Sequence, residues 1–272
     1  RKIPWNKEPT AQIICDLQYS DGSPSALAPR QVLKNIIGLL DEEQLRAVVA
    51  PELEFYLCEQ NLDPDLPLKT PIGKSGRREK GSRVFGIDAV NEFDDLTDDI
   101  YDYCEVLKIG VDTLIHESGP SQIEINLNHG DPLQLADQAF MFKRAVRQVA
   151  LKHGIHATFM SKPYQGHPGS SMHIHQNIIS KKTNKNLFSD ENGNNTEEFF
   201  YFIGGLQTYL PDAMLFFAPY VNSYRRFVID ASAPINTHWG FENRTVAFRI
   251  PTSKGDSRSC LLYTSPSPRD NR

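Results

Sequence analysis

The alternation of apolar and polar residues along the chain predicts both helices and strands. Apolar residues recur at helical spacing over residues 30–40, 91–107, 132–153 and 196–210. Alternating or short apolar runs indicate strands over residues 48–57, 113–117, 122–127, 155–160, 172–179 and 244–250. The two kinds of element do not alternate regularly, so the pattern favours an α+β fold over a doubly wound parallel sheet.

Helix-end signals are clearest around residues 132–153. Asp131 is placed to cap this helix, Pro132 occupies its first position, and Gly154 follows its last residue. Residues 61–86 are instead rich in Pro, Gly, Lys and Arg and have no period, so they are predicted to form a long loop. Loops of that length within a compact domain usually have a function.

The last stretch of the chain, residues 257–272, has no apolar period and is dominated by Ser, Pro and Arg. Such a composition is typical of a non-native tail derived from an adapter or from cloning, so the predicted fold ends at residue 256.

Overall composition is that of an ordinary globular protein. Apolar residues make up 39% and charged residues 23%, and the net charge of -5 gives no electrostatic basis for binding nucleic acid or an anionic membrane. No apolar run reaches the length of a membrane span. The four cysteines are scattered without C-x-x-C spacing, which predicts free thiols in a reducing compartment and hence a cytoplasmic protein.

Pairs of polar residues with strand spacing supply the first candidate chemistry. Glu52 and Glu54 lie on one face of a predicted strand, opposite Leu53 and Phe55. An isolated pair of this kind is most often a solvent-facing one, so it indicates a site only in combination with other groups.

Two further strands carry similar groups. Glu117 ends one strand and Glu124 lies on the next, while His173, His175 and Asn177 share one face of another. Taken singly, each is more often an exposed or supporting residue than a metal ligand.

If these strands are neighbours, four carboxylates and an imidazole converge. Two carboxylates 4 Å apart repel each other by about 4 kcal/mol at an effective dielectric constant of about 20, so such a cluster needs cations. Oxygen ligands with a single histidine suit Mg²⁺ or Mn²⁺ better than Zn²⁺.

Arginines near the C-terminal end suit the binding of phosphate or carboxylate groups. They are Arg225, Arg226, Arg244 and Arg249. Any one of them is also compatible with a solvated loop or strand position. Strand alternation places Arg244 and Arg249 on opposite faces unless a bulge intervenes.

Taken together and in order, these segments resemble the glutamine synthetase family from about residue 47 to residue 251. The motifs that carry the resemblance are PELEFYL, QIEINLNHGDP, ATFMSKPYQGHPGSSMHIHQ, APYVNSYRRF and ENRTVAFRIP. Within the family, SGRREKGSRVFGIDAVNEFDDL and DASAPINTHWGFENRTV are similar to the γ-glutamylpolyamine ligases, which include the γ-glutamylputrescine synthetases.

The resemblance implies a curved antiparallel sheet that is lined with metal ligands and backed by helices. Residues 1–45 would be a remnant of the family's N-terminal region with a linker, residues 46–256 a partial catalytic domain, and residues 257–272 the non-native tail. It also implies a homo-oligomeric ring, in which the N-terminal domain completes the neighbouring subunit's site.

Individual roles also follow from the resemblance. One divalent ion would be held by Glu54, Glu117 and Glu124, and a second by Glu52 and His173. His175 and Asn177 would lie near the nucleotide phosphates, and Gly169 would line the glutamate site. Arg226 and Arg249 would bind glutamate or the transferring phosphoryl group, and Arg244 would lie close to the phosphates.

The implied reaction consumes ATP and uses Mg²⁺ or Mn²⁺. The γ-carboxylate of glutamate attacks ATP to give γ-glutamyl phosphate, which an amine then displaces. Ammonium-using members carry a glutamate near the end of a loop where this chain has Ser232, which favours a larger amine, with a polyamine such as putrescine preferred. The alternatives are an ammonium-using glutamine synthetase and a non-catalytic relative.

The resemblance also implies two missing parts. The family takes a sixth metal ligand, a glutamate, from a strand beyond the equivalent of Pro251, and a fuller N-terminal domain precedes the first metal strand. On this basis the 272-residue chain itself is expected to have little or no activity.

Overall fold

A computed structural model describes residues 1–63, 65–228, 233–253 and 255–264. The helices are α1 (Pro29–Glu42), α2 (Ile87–Asn91), α3 (Asp94–Val106), α4 (Pro132–Lys152), α5 (Glu197–Phe217) and α6 (Val221–Tyr224). The strands are β1 (Leu45–Glu59), β2 (Val111–His116), β3 (Gln122–Leu127), β4 (Ile155–Thr158), β5 (Met172–Ser180), β6 (Trp239–Phe241), β7 (Phe248–Ile250) and β8 (Cys260–Thr264).

The eight strands of the described residues belong to one sheet, in the order β2-β3-β1-β5-β8-β7-β6, with β4 also paired to β1. The pairs are antiparallel except for β6 and β7, which are parallel. The fold is therefore α+β, as predicted, but the sheet is mixed where the prediction was antiparallel. The parallel pair escaped prediction because β6 has only three residues and no alternating pattern around it.

The long strand β1 is central because it pairs with three others. It bonds to β3 through residues 52–56, to β5 through residues 45–53 and to β4 through residues 56–59. Leu53, Phe55 and Leu57 of this strand are fully buried in the main core, together with residues of α3 and α4. That packing fixes the register, since a shift by one residue would bring Glu52 and Glu54 into the core.

The helix predicted over residues 132–153 is confirmed as α4. The Asp131 carboxylate accepts a hydrogen bond from the backbone N–H of Gln134 at 2.9 Å, and Gly154 adopts a φ of 71° just past the helix end. The other long helix, α5, continues past Pro211 and the predicted end at residue 210. Met214 and Phe217 pack there against the second hydrophobic core, which includes Phe248 and Leu262 and offsets the lost backbone hydrogen bond.

Two predicted elements differ in extent. The helix predicted over residues 91–107 is confirmed as α3 but begins at Asp94, and α2 is a separate short helix that ends at Asn91. Between the two helices, the Glu92 carbonyl accepts a hydrogen bond from Lys74 N. The strand predicted over residues 244–250 is reduced to Phe248–Ile250. The Asn243 side chain accepts hydrogen bonds from Thr245 and holds that stretch in a turn, so the predicted strand face of Arg244 is wrong.

The exclusion of residues 257–272 from the fold is also corrected for part of that segment. Cys260–Thr264 forms β8, which is inserted between β5 and β7, and Leu261 and Leu262 are buried. The assignment of the segment to a non-native origin stays a prediction.

The described part of the 61–86 stretch contains no helix or named strand, as predicted. The four cysteines are free, with Cys15 exposed and the others buried. Within the part of the chain that the structure describes, no helix is both long enough and apolar enough to cross a bilayer.

Candidate active site

Strand pairing brings the predicted acidic residues and histidines to one face of the sheet, named here the acidic face. Across β1 and β3, Glu54 lies opposite Glu124; across β1 and β5, Glu52 lies opposite His173. The opposite face of the same strands forms the main core. The convergence proposed from the sequence is therefore realised by the register of three neighbouring strands.

Glu54 and Glu124 form a buried carboxylate pair at the centre of this face. Glu54 accepts hydrogen bonds from Gln122 Nε2 at 3.0 Å and from the Ser171 backbone N–H at 2.9 Å. Burial raises the pKa of Glu54, and the charge of Glu117 raises it further. Burial likewise raises the pKa of Glu124, as do the charges of the three neighbouring glutamates. The pair resists ionisation unless a cation approaches.

Glu52 has the opposite character. Its Oε2 lies 3.0 Å from His173 Nδ1, and its Oε1 lies 2.8 Å from His175 Nε2. Burial favours the protonated acid, but the hydrogen bonds from His173 and His175 outweigh it and hold the pKa of Glu52 well below its ordinary value. Glu52 is therefore the anionic anchor of the cluster.

Glu117 lies at the edge of this group, just beyond β2. Its carboxylate accepts a hydrogen bond from the Ser118 N–H at 3.2 Å. Burial raises the pKa of Glu117, and the hydrogen bond from Ser118 and the charge of Arg244 partly offset that increase. Arg244 itself is exposed in the turn before β7, yet it is close enough to act on the acidic face.

Arg226 is the buried cation beside the carboxylates. It donates hydrogen bonds to the Thr264 carbonyl at 3.2 Å and to Ser171 Oγ. Burial lowers the pKa of Arg226, and the negative charge of Glu54 partly offsets this shift. Gly169 packs directly on it, since a Cβ there would lie 2.7 Å from Arg226 Cγ and 2.5 Å from the Ser161 carbonyl oxygen.

Arg249 reaches the acidic face through the register of β7. It pairs with Leu261, and Leu261 pairs with His175. Its Nε is buried without a hydrogen-bond partner among the described residues. A buried guanidinium N–H without an acceptor is well placed for an anionic ligand.

The remaining predicted groups follow along β5. His175 lies 3.3 Å from Ser259 Oγ, measured from Nδ1, and borders a cavity of about 220 Å³ that also contacts Glu52, Asp112 and His129. Asn177 lies on the same face of β5 as His175 and is paired with Val48 of β1. Its Oδ1 is buried and has no hydrogen-bond partner among the described residues. Ser232 lies outside the described residues.

Three neighbours of the acidic face were given no role by sequence reasoning. Gln122 and Ser171 orient Glu54, and Tyr263 lies opposite His173 with the two rings 4.5 Å apart. Gln122 has the strand parity of Glu124, which was a usable signal. Ser171 contacts Glu54 through its backbone N–H, and Tyr263 lies in the segment that was excluded from the predicted fold. Neither residue therefore gave a signal in the sequence.

The donor set fits a hard divalent cation. One ligand atom from each of Glu52, Glu124 and His173 lies within 4.8 Å of the others. The Oδ1 of Asn126, which pairs with Glu52 across the sheet, is buried without a hydrogen-bond partner among the described residues. Carboxylate and amide oxygens with one imidazole suit Mg²⁺ or Mn²⁺. The closest atoms combine members of both predicted ligand groups, so the division into two ions stays a prediction.

Comparison with known proteins defines the class. Residues 26–271 match the family model described as glutamine synthetase, catalytic domain. The chain therefore belongs to the glutamine synthetase catalytic-domain family, and the fold expected from the sequence motifs is confirmed.

Two curated relatives and one solved structure illustrate the range within the family. The chain is 40% identical over 244 residues to gamma-glutamylputrescine synthetase PuuA of Escherichia coli (strain K12), covering 88% of this chain and 51% of that protein. It is 34% identical over 270 residues to glutamine synthetase of Pyrococcus abyssi (strain GE5 / Orsay), covering 99% and 58%. A structure described as "Apo GmaS without ligand" superposes with a TM-score of 0.76 at 28% identity, covering 93% and 56%. The chain thus spans about half the length of these curated relatives.

Proposed function

We propose that the complete protein is an ATP-dependent ligase that joins the γ-carboxylate of glutamate to an amine. The observation that carries this proposal is the acidic face, where Glu52, Glu124 and His173 converge beside the buried Arg226. Membership of the family supports the reaction class. A scaffold protein would gain no stability from a cluster of buried carboxylates, since such a cluster opposes folding.

The cation would be held by Glu52, Glu54, Glu117, Glu124 and His173. When bound, Mg²⁺ or Mn²⁺ would neutralise charge on the phosphate groups of ATP. Before binding, Glu52 is already ionised through its contacts with His173 and His175. Burial and the neighbouring carboxylates raise the pKa values of Glu54 and Glu124, so a bound cation would favour their ionised forms.

The other side chains act on substrates directly. Arg226 and Arg249 would bind the glutamate carboxylate or the transferring phosphoryl group, with Arg244 nearer the phosphates. Gly169 keeps the space around Arg226 free of a side chain. The Gly169 carbonyl accepts a hydrogen bond from Gln122 Nε2 at 3.1 Å. His175, fixed between Glu52 and Ser259, would face the nucleotide phosphates together with Asn177.

The bond changes are balanced in two steps. A γ-carboxylate oxygen of glutamate attacks the terminal phosphorus of ATP, and ADP leaves with the electrons of the broken P–O bond. The amine nitrogen then attacks the acyl carbon of γ-glutamyl phosphate. Inorganic phosphate leaves and the nitrogen loses one proton.

For the amine, we propose a polyamine such as putrescine. Two observations support this choice: Ser232 in place of a carboxylate, and the 40% identity to gamma-glutamylputrescine synthetase PuuA. The principal alternative is ammonium, which the 34% identity to glutamine synthetase of Pyrococcus abyssi supports. A homo-oligomeric ring and a cytoplasmic location remain part of the proposal, as does the division into residues 1–45, 46–256 and 257–272.

The test is ADP release with glutamate and Mg²⁺, comparing putrescine, a monoamine and ammonium. It is run on the 272-residue chain and on a form extended at both ends with the segments that its relatives possess. We expect putrescine-dependent turnover from the extended form and little from the 272-residue chain. Glu124→Gln should reduce turnover by about 100-fold or more, because it removes a charge from the cation site.

Glu191→Gln, which alters an exposed carboxylate that accepts a hydrogen bond from Lys185 Nζ at 2.7 Å, is the matched control and should leave turnover unchanged. Turnover driven by ammonium and not by putrescine would establish the alternative. Absence of turnover with every amine would favour a non-catalytic relative.

A further inference from the structure

A second cavity, of about 300 Å³, lies between the 70–86 stretch and the start of α3. It shares no residue with the candidate active site, because none of its lining residues is a candidate metal ligand or substrate contact on the acidic face. Three arginines line it, namely Arg77, Arg78 and Arg83, together with Glu79 and Glu92. We name it the arginine cavity.

Each of the two carboxylates of the arginine cavity has one oxygen, Oε2, engaged by the protein. Glu92 Oε2 accepts hydrogen bonds from Ser75 N at 3.1 Å and from Ser75 Oγ at 2.8 Å. Glu79 Oε2 accepts one from Ser121 N at 2.6 Å and lies 2.9 Å from Nε2 of the buried His116. These contacts hold the wall of the cavity in place. The hydrogen bonds from Ser75 lower the pKa of Glu92, and the charge of Arg83 also acts on Glu92 and helps to lower it. Oε1 of Glu79 is buried without a hydrogen-bond partner among the described residues. The cavity nevertheless holds three arginines against two carboxylates.

Gly73 shows that the wall is closely fitted. A Cβ at this position would lie 2.1 Å from Glu92 Oε2, so only glycine lets the carboxylate reach Ser75. The turn continues through Gly76, whose φ is 77° and whose N–H donates to the Gly73 carbonyl at 2.9 Å. Arg77 follows directly and is thereby fixed at the cavity.

The arginines differ in how they are used. Arg78 donates to Glu59 and to the Thr70 carbonyl. Arg77 and Arg83 make no side-chain hydrogen bond or ion pair within the residues that the structure describes, 1–63, 65–228, 233–253 and 255–264. Two guanidinium groups therefore border one cavity with their donors available.

We propose that the arginine cavity binds a small molecule bearing a phosphate group, held by Arg77 and Arg83. A dianionic phosphate accepts hydrogen bonds from two guanidinium groups at once, and each contact is charge-assisted. The volume is at the lower end of the range for small-molecule sites, which suits a compact phosphate ester. This inference goes beyond the proposed ligase, because no group of the acidic face takes part.

The experiment is calorimetric titration of the 272-residue chain with ribose 5-phosphate and with inorganic phosphate. The buffer contains chloride and EDTA, so no divalent cation can bridge phosphate to the acidic face. We expect ribose 5-phosphate to bind with a Kd of about 1 mM or tighter, and Arg77→Gln with Arg83→Gln to weaken it by at least about tenfold.

Two control variants each remove one arginine charge elsewhere. Arg46→Gln alters an exposed arginine that donates to Asn184 at 3.0 Å, and Arg249→Gln alters one of the arginines near the acidic face. Both should bind ribose 5-phosphate within about twofold of the wild type, since neither contributes a donor to the cavity. Circular dichroism melting curves verify that all variants are folded.

Four results would overturn the proposal. Absence of binding of either phosphate compound up to about 10 mM would show that there is no site. An equal loss of affinity in Arg46→Gln would indicate non-specific charge attraction, and a loss in Arg249→Gln with affinity retained in the double variant would place the ligand at the acidic face. Succinate binding as tightly as the phosphate compounds would remove the preference for phosphate.

Discussion

Glu52 and His173 lie opposite each other across β1 and β5, with Oε2 and Nδ1 3.0 Å apart, although 121 positions separate them in the chain. The other oxygen of the same carboxylate lies 2.8 Å from His175 Nε2. One carboxylate thus orients two imidazoles before any cation is present. A cation bound between Glu52 and His173 would take over a contact that already has the required geometry.

Replacing His173 should therefore weaken cation binding. His173→Ala removes the only imidazole in the cluster of Glu52, Glu124 and His173. We expect about a 10- to 100-fold loss of Mn²⁺ affinity, measured by electron paramagnetic resonance of free Mn²⁺. His156→Ala on β4 is the matched control and should retain wild-type affinity. Equal affinities in the two variants would contradict a role for His173 as a ligand.

Stability should depend on pH through Glu54 and Glu124. Both have pKa values raised above 4.5, by burial first and by neighbouring carboxylates second. The folded chain therefore holds protons that the unfolded chain has lost, and stability falls as pH rises from about 5 through the folded pKa values. In EDTA, we expect Tm to fall by several degrees between about pH 5.5 and pH 8.

The Glu54→Gln, Glu124→Gln double variant should lose most of that pH dependence. Mn²⁺ should raise the Tm of the wild type more at the higher pH, because protons and cations compete for these carboxylates. If the Tm of the wild type in EDTA changes with pH in the same way as that of the double variant, the raised pKa values assigned to Glu54 and Glu124 are wrong.

Tyr263 offers a gain-of-binding experiment. It lies directly opposite His173 on β8, with the two rings 4.5 Å apart, so its side chain shares the acidic face. Tyr263→Glu would place a carboxylate next to the candidate ligands. We expect Mn²⁺ affinity to rise by about tenfold while the cation-free Tm falls, because a further buried carboxylate is costly without a counter-charge. Tyr263→Gln separates the effect of charge from that of shape and should not increase affinity.

Two glycines provide a matched pair for stability. Gly169→Ala would bring a methyl group to 2.5 Å from the Ser161 carbonyl oxygen and 2.7 Å from Arg226 Cγ. A methyl group added at Gly204 in α5 would have no atom within 4 Å outside its own helix backbone. Gly169→Ala should lower the free energy of unfolding by about 1–3 kcal/mol. Gly204→Ala should raise it by about 0.5–1 kcal/mol. Urea denaturation measures both, and a destabilising Gly204→Ala would show that the helix is not formed as described.

Removing the Glu79 carboxylate should be costly for a different reason. Glu79→Ala leaves the buried Nε2 of His116 and the N–H of Ser121 without their acceptor. The expected loss is about 1–3 kcal/mol of unfolding free energy in urea. Glu191→Ala, at an exposed position, should change it by less than about 0.5 kcal/mol. A similar, small effect in both would mean that water replaces the Glu79 contacts.

Short-range pattern was sufficient to predict the faces of individual strands. Alternation alone placed Glu52 and Glu54 opposite Leu53 and Phe55, and this is the arrangement observed. The register between strands has no such local signal. The contact of Glu52 with His173 depends on a pairing across 121 positions, and only family resemblance indicated it.

The errors also have physical causes. Arg244 was assigned to a strand because apolar residues follow it, but the side-chain oxygen of Asn243 forms a competing local turn. β8 was omitted because its composition resembles a tail, although Leu261 and Leu262 supply enough apolar surface to pack between β5 and β7. A local side-chain hydrogen bond decided the first outcome and tertiary packing the second.

The position of β8 also determines when the site can form during synthesis. Thr264 of β8 donates to the Met172 carbonyl of β5 across 92 positions, and the Thr264 carbonyl in turn accepts from Arg226. In this 272-residue chain β8 is synthesised after β1, β3 and β5, so until it emerges the edge of β5 lacks this partner and Arg226 lacks the Thr264 carbonyl. The acidic face is thus assembled late, and the exposed edge of β5 is where a chaperone or another nascent chain would engage first.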